Sequence, residues 1–313
     1  MEKLAGDAST REYFRVFHDS GTEVLCRDSL FLNVSPQDYP FYIMEKRLAE
    51  RGIPVPAIHF TDEENGLLLL EDGGDIHLQS TYHTMNCHDA LSFFQRLIDI
   101  MVQIQSTESD GSEVPFGLSF DVEKLMFEFD FFIDHTLLNY FKSKISQNDL
   151  KRLRNAFLKI SEILHRPELF VLNHRDYHSR NVLVKASEPF ILDFQDARMG
   201  LPQYDAVSLL RDSYLVLEND IVQSLKDYHH ARLKEAEYDK MSRDEYDFFF
   251  DIMAFQRNVK ALGTFGYQIT QRDNRVYEPY IAPTRNYLPD YIERRPELRA
   301  AGAILERAME AAS

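Results

Sequence analysis

The chain has 313 residues, 51 acidic against 35 basic side chains, and a formal net charge of −16. This length accommodates one large domain or two lobes, and 44% hydrophobic with 27% charged residues is an ordinary globular composition that excludes a disordered or fibrous chain. The acidic balance argues against a general nucleic-acid binder, and two cysteines without CxxC or Cys/His spacing leave neither a disulfide framework nor structural zinc. No window approaches 18 uninterrupted apolar residues and the first ten residues hold no stretch of signal-peptide length, so a cytoplasmic, soluble protein with no membrane partner is expected.

Tyr13 to His18 and Thr22 to Arg27 are short β-prone runs around Asp19-Ser20-Gly21, which predicts a hairpin. Pro40 precedes a helix with Phe41, Met44 and Leu48 on one face, stopped by Gly52. Residues 53–58 read as an extended linker into a second hairpin, turning at Asp62 to Gly66, with Leu67 to Leu70 as a buried strand. After Asp72-Gly73-Gly74-Asp75 the period becomes helical, first over 90–105 and then over 121–141 with Asp121 as N-cap. Short apolar runs at 168–171, 182–185 and 190–192 surround a polar loop before helical period returns over 204–217 and 246–265. The fold class is α+β: a small β-rich lobe over 1–72 and a larger, mainly helical lobe over 73–313, ending in an amphipathic helix. Nothing in the pattern sets an oligomeric state.

The polar loop is the informative stretch. His174-Arg175-Asp176 is followed by Asn181 five residues after the Asp, and Asp193 closes an apolar strand seventeen residues after it. Phosphoryl transfer needs one carboxylate to accept the proton of an attacking hydroxyl, and an amide oxygen with a second carboxylate to hold Mg²⁺ against the phosphates of ATP. Asp176 suits the first role, Asn181 and Asp193 the second. The spacing follows the kinase catalytic loop H-R-D-x-x-x-x-N, with Asp193-Phe194-Gln195 where protein kinases have D-F-G.

These residues resemble the aminoglycoside phosphotransferase and choline kinase superfamily, whose fold is the bilobal protein-kinase-like one. The blocks at 6–16, 69–75, 174–181, 193–197, 204–212 and 256–263 resemble more narrowly the anomeric kinases of N-acetylmuramate and N-acetylglucosamine in cell-wall recycling. The resemblance implies an ATP- and Mg²⁺-dependent phosphotransferase acting on a sugar hydroxyl. Other small-molecule acceptors, an aminoglycoside, choline or another alcohol, are the alternative, and a catalytically silent binding module is the alternative of another class.

The resemblance also implies site roles. Ser9 and Thr10 form the tip of the nucleotide-covering hairpin; Arg11 and Arg15 either face phosphate or are solvated. No Lys stands on the strand where protein kinases carry their phosphate-pairing Lys; either Arg27 substitutes, with Glu45 as partner, or both are solvated charges. Backbone N–H and C=O groups at Glu71 and nearby positions read the adenine edge. Glu128, His178, Arg180 and Arg257 are the acceptor-binding candidates, with an internal ion pair as the other reading of Glu128 and Arg257. His174 and Asp205 support the catalytic loop. Relatives place a Trp after the glutamate, whereas this chain offers Phe131, Phe132 and His135.

Overall fold

The computed structural model describes residues 1–4, 11–238 and 240–310. The hairpin tip at Ser9 and Thr10 lies outside the described residues. The chain begins with β1 (Glu2–Lys3), β2 (Glu12–His18), β3 (Gly21–Arg27), α1 (Pro40–Glu50), β4 (Ile58–Asp62) and β5 (Leu67–Glu71). The strands form one antiparallel sheet in the order β1-β2-β3-β5-β4. Both hairpins and the helix fall where hydrophobic period placed them.

Register decides which side chains reach the site. Tyr13 pairs Cys26 and Arg15 pairs Val24, while Leu68 and Leu70 oppose Cys26 and Val24 on the other side. Because side chains alternate along a strand, Tyr13, Arg15, Val24, Cys26, Leu68 and Leu70 share one face, and Glu12, Phe14 and Arg27 point from the other. The first face is inward: Cys26, Leu68 and Leu70 are buried.

Next come α2 (Leu78–Thr81), α3 (Cys87–Gln105), α4 (Val122–Phe132), a π-helical stretch Ile133–Tyr140, α5 (Gln147–Leu164) and β6 (Val171–Asn173). Asp121 caps α4 as expected, accepting from the Lys124 N–H. The chain continues through β7 (Val182–Lys185), β8 (Glu188–Ile191), β9 (Arg198–Gly200), α6 (Gln203–Leu210), α7 (Asn219–Glu235) and α8 (Arg243–Gln271). Ser242 and Glu245 close a capping box at the start of α8. Shorter helices α9 (Ile281–Asn286) and α10 (Leu288–Arg294) lead to α11 (Arg299–Glu310). The helix expected over 204–217 stops at Leu210. Asp212 accepts from the Tyr214 N–H and turns the chain, so Leu215 and Leu217 are buried from irregular backbone.

Two compact units result: residues 1–118 with 174–198, and residues 119–173 with 199–313. The first holds the sheet, α1 to α3 and the β7–β8 hairpin; the second is mainly helical. The sheet ends at Glu71, and the polar loop belongs to the same unit as the sheet and α3. One anchor is Tyr177, fully buried, whose hydroxyl donates to the Leu97 carbonyl on α3 (2.9 Å).

A buried histidine in the helical unit sets an acid limit on stability. His229 on α7 is fully buried with Nδ1 2.7 Å from the Tyr246 hydroxyl, and burial pushes its pKa down to about 3, with neighbouring His230 adding to the effect. An unfolded histidine titrates near pH 6.5, so between about 6.5 and 3 the unfolded chain takes up a proton the folded chain refuses. Stability is fully present above that window and falls on acidification by up to about 1.4 kcal/mol per pH unit from this group. Urea unfolding of His229→Gln is expected to show a shallower acid limb than the unsubstituted protein; parallel limbs would refute this.

Candidate active site

The loop after β6 is tied down mainly through backbone. His174, fully buried, donates from Nε2 to the Leu192 carbonyl (2.9 Å), and burial lowers its pKa against the pull of Asp193 and Asp176, so the ring is neutral. Arg175 sits at φ 85°, a conformation non-glycine residues rarely adopt, and its guanidinium lies 2.7 Å from Asp196 and 3.7 Å from Asp176. The twist at Arg175 turns Asp176 outward and Tyr177 inward. The Asp176 carbonyl accepts from the His178 N–H (3.0 Å) and from Asn181 Nδ2 (2.9 Å), while its carboxylate keeps 20% exposure.

Asn181 links this loop to the next. Its carbonyl accepts from the Leu192 N–H (2.9 Å), and its Nδ2 lies 3.4 Å from Asp193 Oδ2. With Nδ2 committed to the Asp176 carbonyl, Oδ1 remains as the metal-competent atom. Asp193 is at φ 64°, which short polar residues tolerate, and its carboxylate is 46% exposed. Gln195 Nε2 donates to Asp193 Oδ1 (2.8 Å), and buried Phe194 packs against Phe41 of α1 at 4.9 Å between ring centroids. Gln195, where protein kinases have glycine, thus holds the second carboxylate in place. Sequence reasoning did not single it out.

A cation also reaches this cluster. Arg11, just before β2, donates from Nε to Asp28 (2.8 Å) and places Nη1 3.9 Å from Asp193 Oδ1. Arg27 does not have that position. It lies on the opposite face of β3, two-thirds exposed, with Glu12 at 3.8 Å, and it makes no pair with Glu45. Glu45 is buried on α1 with Lys46 at 3.7 Å, and burial raises its carboxyl pKa. Strand parity is the reason: Cys26 and Asp28 face inward, so Arg27 between them cannot.

The expectation for Glu71 is altered likewise. Its N–H donates to the Ala57 carbonyl (2.8 Å) and its carboxylate pairs with Lys185, whose Nζ also reaches the Asp72 carbonyl (3.0 Å). That N–H is therefore spent within the protein and does not present an adenine-reading edge. Arg15 is clamped by Asp72 (2.6 Å) and Asp75 (2.7 Å). These residues with Phe17, Thr22 and Lys185 line a cleft of about 420 Å³.

In the helical unit Glu128 on α4 is buried. Its Oε2 accepts from Gln256 Nε2 of α8 (2.8 Å), Lys124 is 3.7 Å from Oε1, and Oε1 is a buried oxygen with no hydrogen bond. Arg257, one residue on, is also buried, with its guanidinium 4.4 Å above the Tyr204 ring. Phe132 is fully buried, whereas Phe131 and His135 stay partly exposed and cluster with Tyr267 (5.3 and 4.9 Å). Asp205 is fully buried on α6; in the loop after β6, His178 precedes the one-turn helix Ser179–Asn181 and Arg180 lies within it.

A model of the phosphotransferase enzyme family matches residues 1–242, and the chain belongs to that family. Its reaction class is phosphoryl transfer from ATP. It is 29% identical over 306 residues to an N-acetylmuramate/N-acetylglucosamine kinase of Pseudomonas aeruginosa, covering 96% of this chain and 86% of that protein. Among solved structures it is similar to an ethanolamine kinase of Plasmodium vivax (TM-score 0.63, 12% identity, 94% and 84% of the two chains). It is also similar to an ADP-bound aminoglycoside phosphotransferase (TM-score 0.57, 14% identity, 93% of each chain). These likenesses agree with the protein-kinase-like fold expected from the sequence.

Proposed function

We propose that this phosphotransferase transfers the γ-phosphoryl group of ATP, with Mg²⁺, to a hydroxyl of an N-acetylated amino sugar, the anomeric hydroxyl of N-acetylmuramate or N-acetylglucosamine. The observation that supports it most is the convergence of Asp176, Asn181 and Asp193 in one hydrogen-bonded cluster, in a chain aligned over nearly its full length with kinases of those sugars. Asp176 orients the acceptor hydroxyl and takes its proton as the oxygen attacks in line. Asn181 Oδ1 and the Asp193 carboxylate fit Mg²⁺, which prefers oxygen donors and retains water and phosphate in its shell. When bound, that cation neutralises charge on the phosphates.

Glu128, with its unsatisfied Oε1, accepts a hydrogen bond from a sugar hydroxyl, and Arg257, His178 and Arg180 supply donors for acetamido or carboxylate oxygens. Ser9 and Thr10 cover the nucleotide, His174 and Asp205 steady the catalytic loop, and the lobe division at residue 72 is part of the same reading. The test is ADP release from ATP and Mg²⁺ with N-acetylmuramate, N-acetylglucosamine, an aminoglycoside and choline as acceptors, with phosphorus NMR on the product. Turnover confined to the acetylated sugars, giving an anomeric phosphate, is expected. Turnover on choline or the aminoglycoside instead would reassign the acceptor.

A further inference from the structure

Asp193 is held along the backbone from both sides. Before it, the Leu192 N–H donates to the Asn181 carbonyl (2.9 Å) and the Leu192 carbonyl accepts from His174 Nε2 (2.9 Å). After it, buried Phe194 packs against Phe41 of α1, and its carbonyl accepts from the Ala197 N–H (3.2 Å), closing a turn. What these bonds leave open is rotation of the Asp193 side chain, whose carboxylate is 46% exposed. Gln195 settles that rotation. Its Nε2 donates to Asp193 Oδ1 (2.8 Å), the oxygen that also faces Arg11 Nη1 at 3.9 Å, and this leaves Oδ2 on the side of Asn181, 3.4 Å from its Nδ2. The Gln195 side chain is buried and its Oε1 makes no hydrogen bond, a state that costs stability, whereas a methionine of similar size would carry no such penalty. A buried amide kept at that cost, with its N–H aimed at a half-exposed carboxylate, serves the carboxylate rather than the core.

We infer that Gln195 is the positioning residue that makes Asp193 a one-oxygen metal ligand, through Oδ2, and thereby selects Mg²⁺ over larger divalent cations. This rests on the phosphotransferase reading in which Asn181 and Asp193 hold the cation. Mg²⁺ takes oxygen donors in near-ideal octahedral geometry and retains several waters, so a carboxylate that offers one oxygen in a fixed direction suits it. Ca²⁺ is larger, accepts more oxygens in looser geometry and takes a carboxylate by one or both, so it gains most from a carboxylate that can turn. The N–H on Oδ1 opposes that second bond. Moving Oδ1 toward a cation would break the 2.8 Å bond and leave the amide N–H of a buried side chain without its partner. The glycine that protein kinases carry at this position has no side chain to do this.

The experiment measures Mn²⁺ binding to the protein with ADP by electron paramagnetic resonance, its displacement by Ca²⁺, the Mg²⁺ dependence of turnover, adenosine binding by calorimetry, and Tm. The proteins compared are the unsubstituted chain, Gln195→Met, Gln195→Gly and Asp193→Asn. Gln195→Met is expected to weaken Mn²⁺ about tenfold or more, raise the Mg²⁺ concentration for half-maximal turnover by a similar factor, and let Ca²⁺ displace Mn²⁺ at a several-fold lower ratio. Adenosine binding should be unchanged and Tm should hold or rise, because methionine fills the same space without an unpaired oxygen. Gln195→Gly should show the same metal defect without relying on how methionine packs. Mn²⁺ affinity and Ca²⁺ competition unaltered in both Gln195 variants, while Asp193→Asn loses Mn²⁺, would overturn the Gln195 role alone. A Gln195→Met protein that loses metal, adenosine and Tm together makes the residue structural and overturns the inference too. Asp193→Asn binding Mn²⁺ as tightly as the unsubstituted protein would instead remove the metal site, and with it the reading on which the inference stands.

Discussion

Asp176→Asn is expected to lower turnover by about 10²- to 10⁴-fold while ATP affinity stays within a few-fold of the unsubstituted protein. An amide has the shape of the carboxylate but cannot accept the proton of the acceptor hydroxyl. The loop is held by groups the substitution leaves alone: the Asp176 carbonyl with Asn181 and His178, the Tyr177 hydroxyl on Leu97, and His174 on Leu192. Arg175 loses a partner at 3.7 Å but retains Asp196 at 2.7 Å, so the loop keeps its main ion pair. The contrast between kcat and ATP binding is therefore the diagnostic quantity. Turnover within tenfold of the unsubstituted protein would remove Asp176 from the proton-accepting role.

The catalytic loop was legible because its chemistry is local in sequence: Asp176 and Asn181 lie within one loop, and Asp193 follows the hairpin built on that loop. The β-rich start was legible for a similar reason, since turn residues and alternation mark hairpins without reference to the rest of the chain. The cation was harder to place. Strand position suggested Arg27, but a one-residue difference in register sends a side chain to the opposite face, and only the pairing of Tyr13 with Cys26 shows that Arg11 and Asp28 point inward. At Glu71 the limit is different: whether a backbone N–H is open to a ligand depends on what pairs with it, and here the Ala57 carbonyl takes it. Gln195 had a local signal, a polar residue two positions after Asp193, though its meaning needed the 2.8 Å bond to be seen. The halt of α6 at Leu210 was also written locally, in Asp212, but hydrophobic period at Leu215 and Leu217 outweighed it.

The long helix α8 supplies the other large expected effect. Gly263 and Gly266 lie one turn apart on the side facing the end of α4 and the π-helical stretch that follows it. A Cβ on Gly266 would stand 2.2 Å from Thr136 Oγ1 and 2.8 Å from the His135 carbonyl oxygen, whereas one on Gly263 would meet Phe132 backbone at 3.0 Å. Glycine inside a helix costs about 1 kcal/mol relative to alanine, so its presence here is offset by the close approach it permits. Thr136 uses that approach to donate its hydroxyl to the Leu262 carbonyl, one of the buried bonds between the two segments. Gly266→Val must push backbone from backbone, and overpacking of this kind costs about 1–3 kcal/mol, lowering Tm by roughly 2–5 °C in a chain of this size. Gly263→Ala should cost less, because its neighbours need to give only a few tenths of an ångström. The same displacement would reach the proposed acceptor residues, since α4 carries Glu128 and α8 carries Gln256 and Arg257, with Glu128 joined to Gln256 by a 2.8 Å bond. Gly266→Val is therefore expected to raise KM for the acceptor at temperatures where the variant remains folded, with KM for ATP unchanged. Equal thermal stability of Gly266→Val and the unsubstituted protein would refute the packing argument, and a matching rise in KM for ATP would refute the assignment of α4 and α8 to the acceptor.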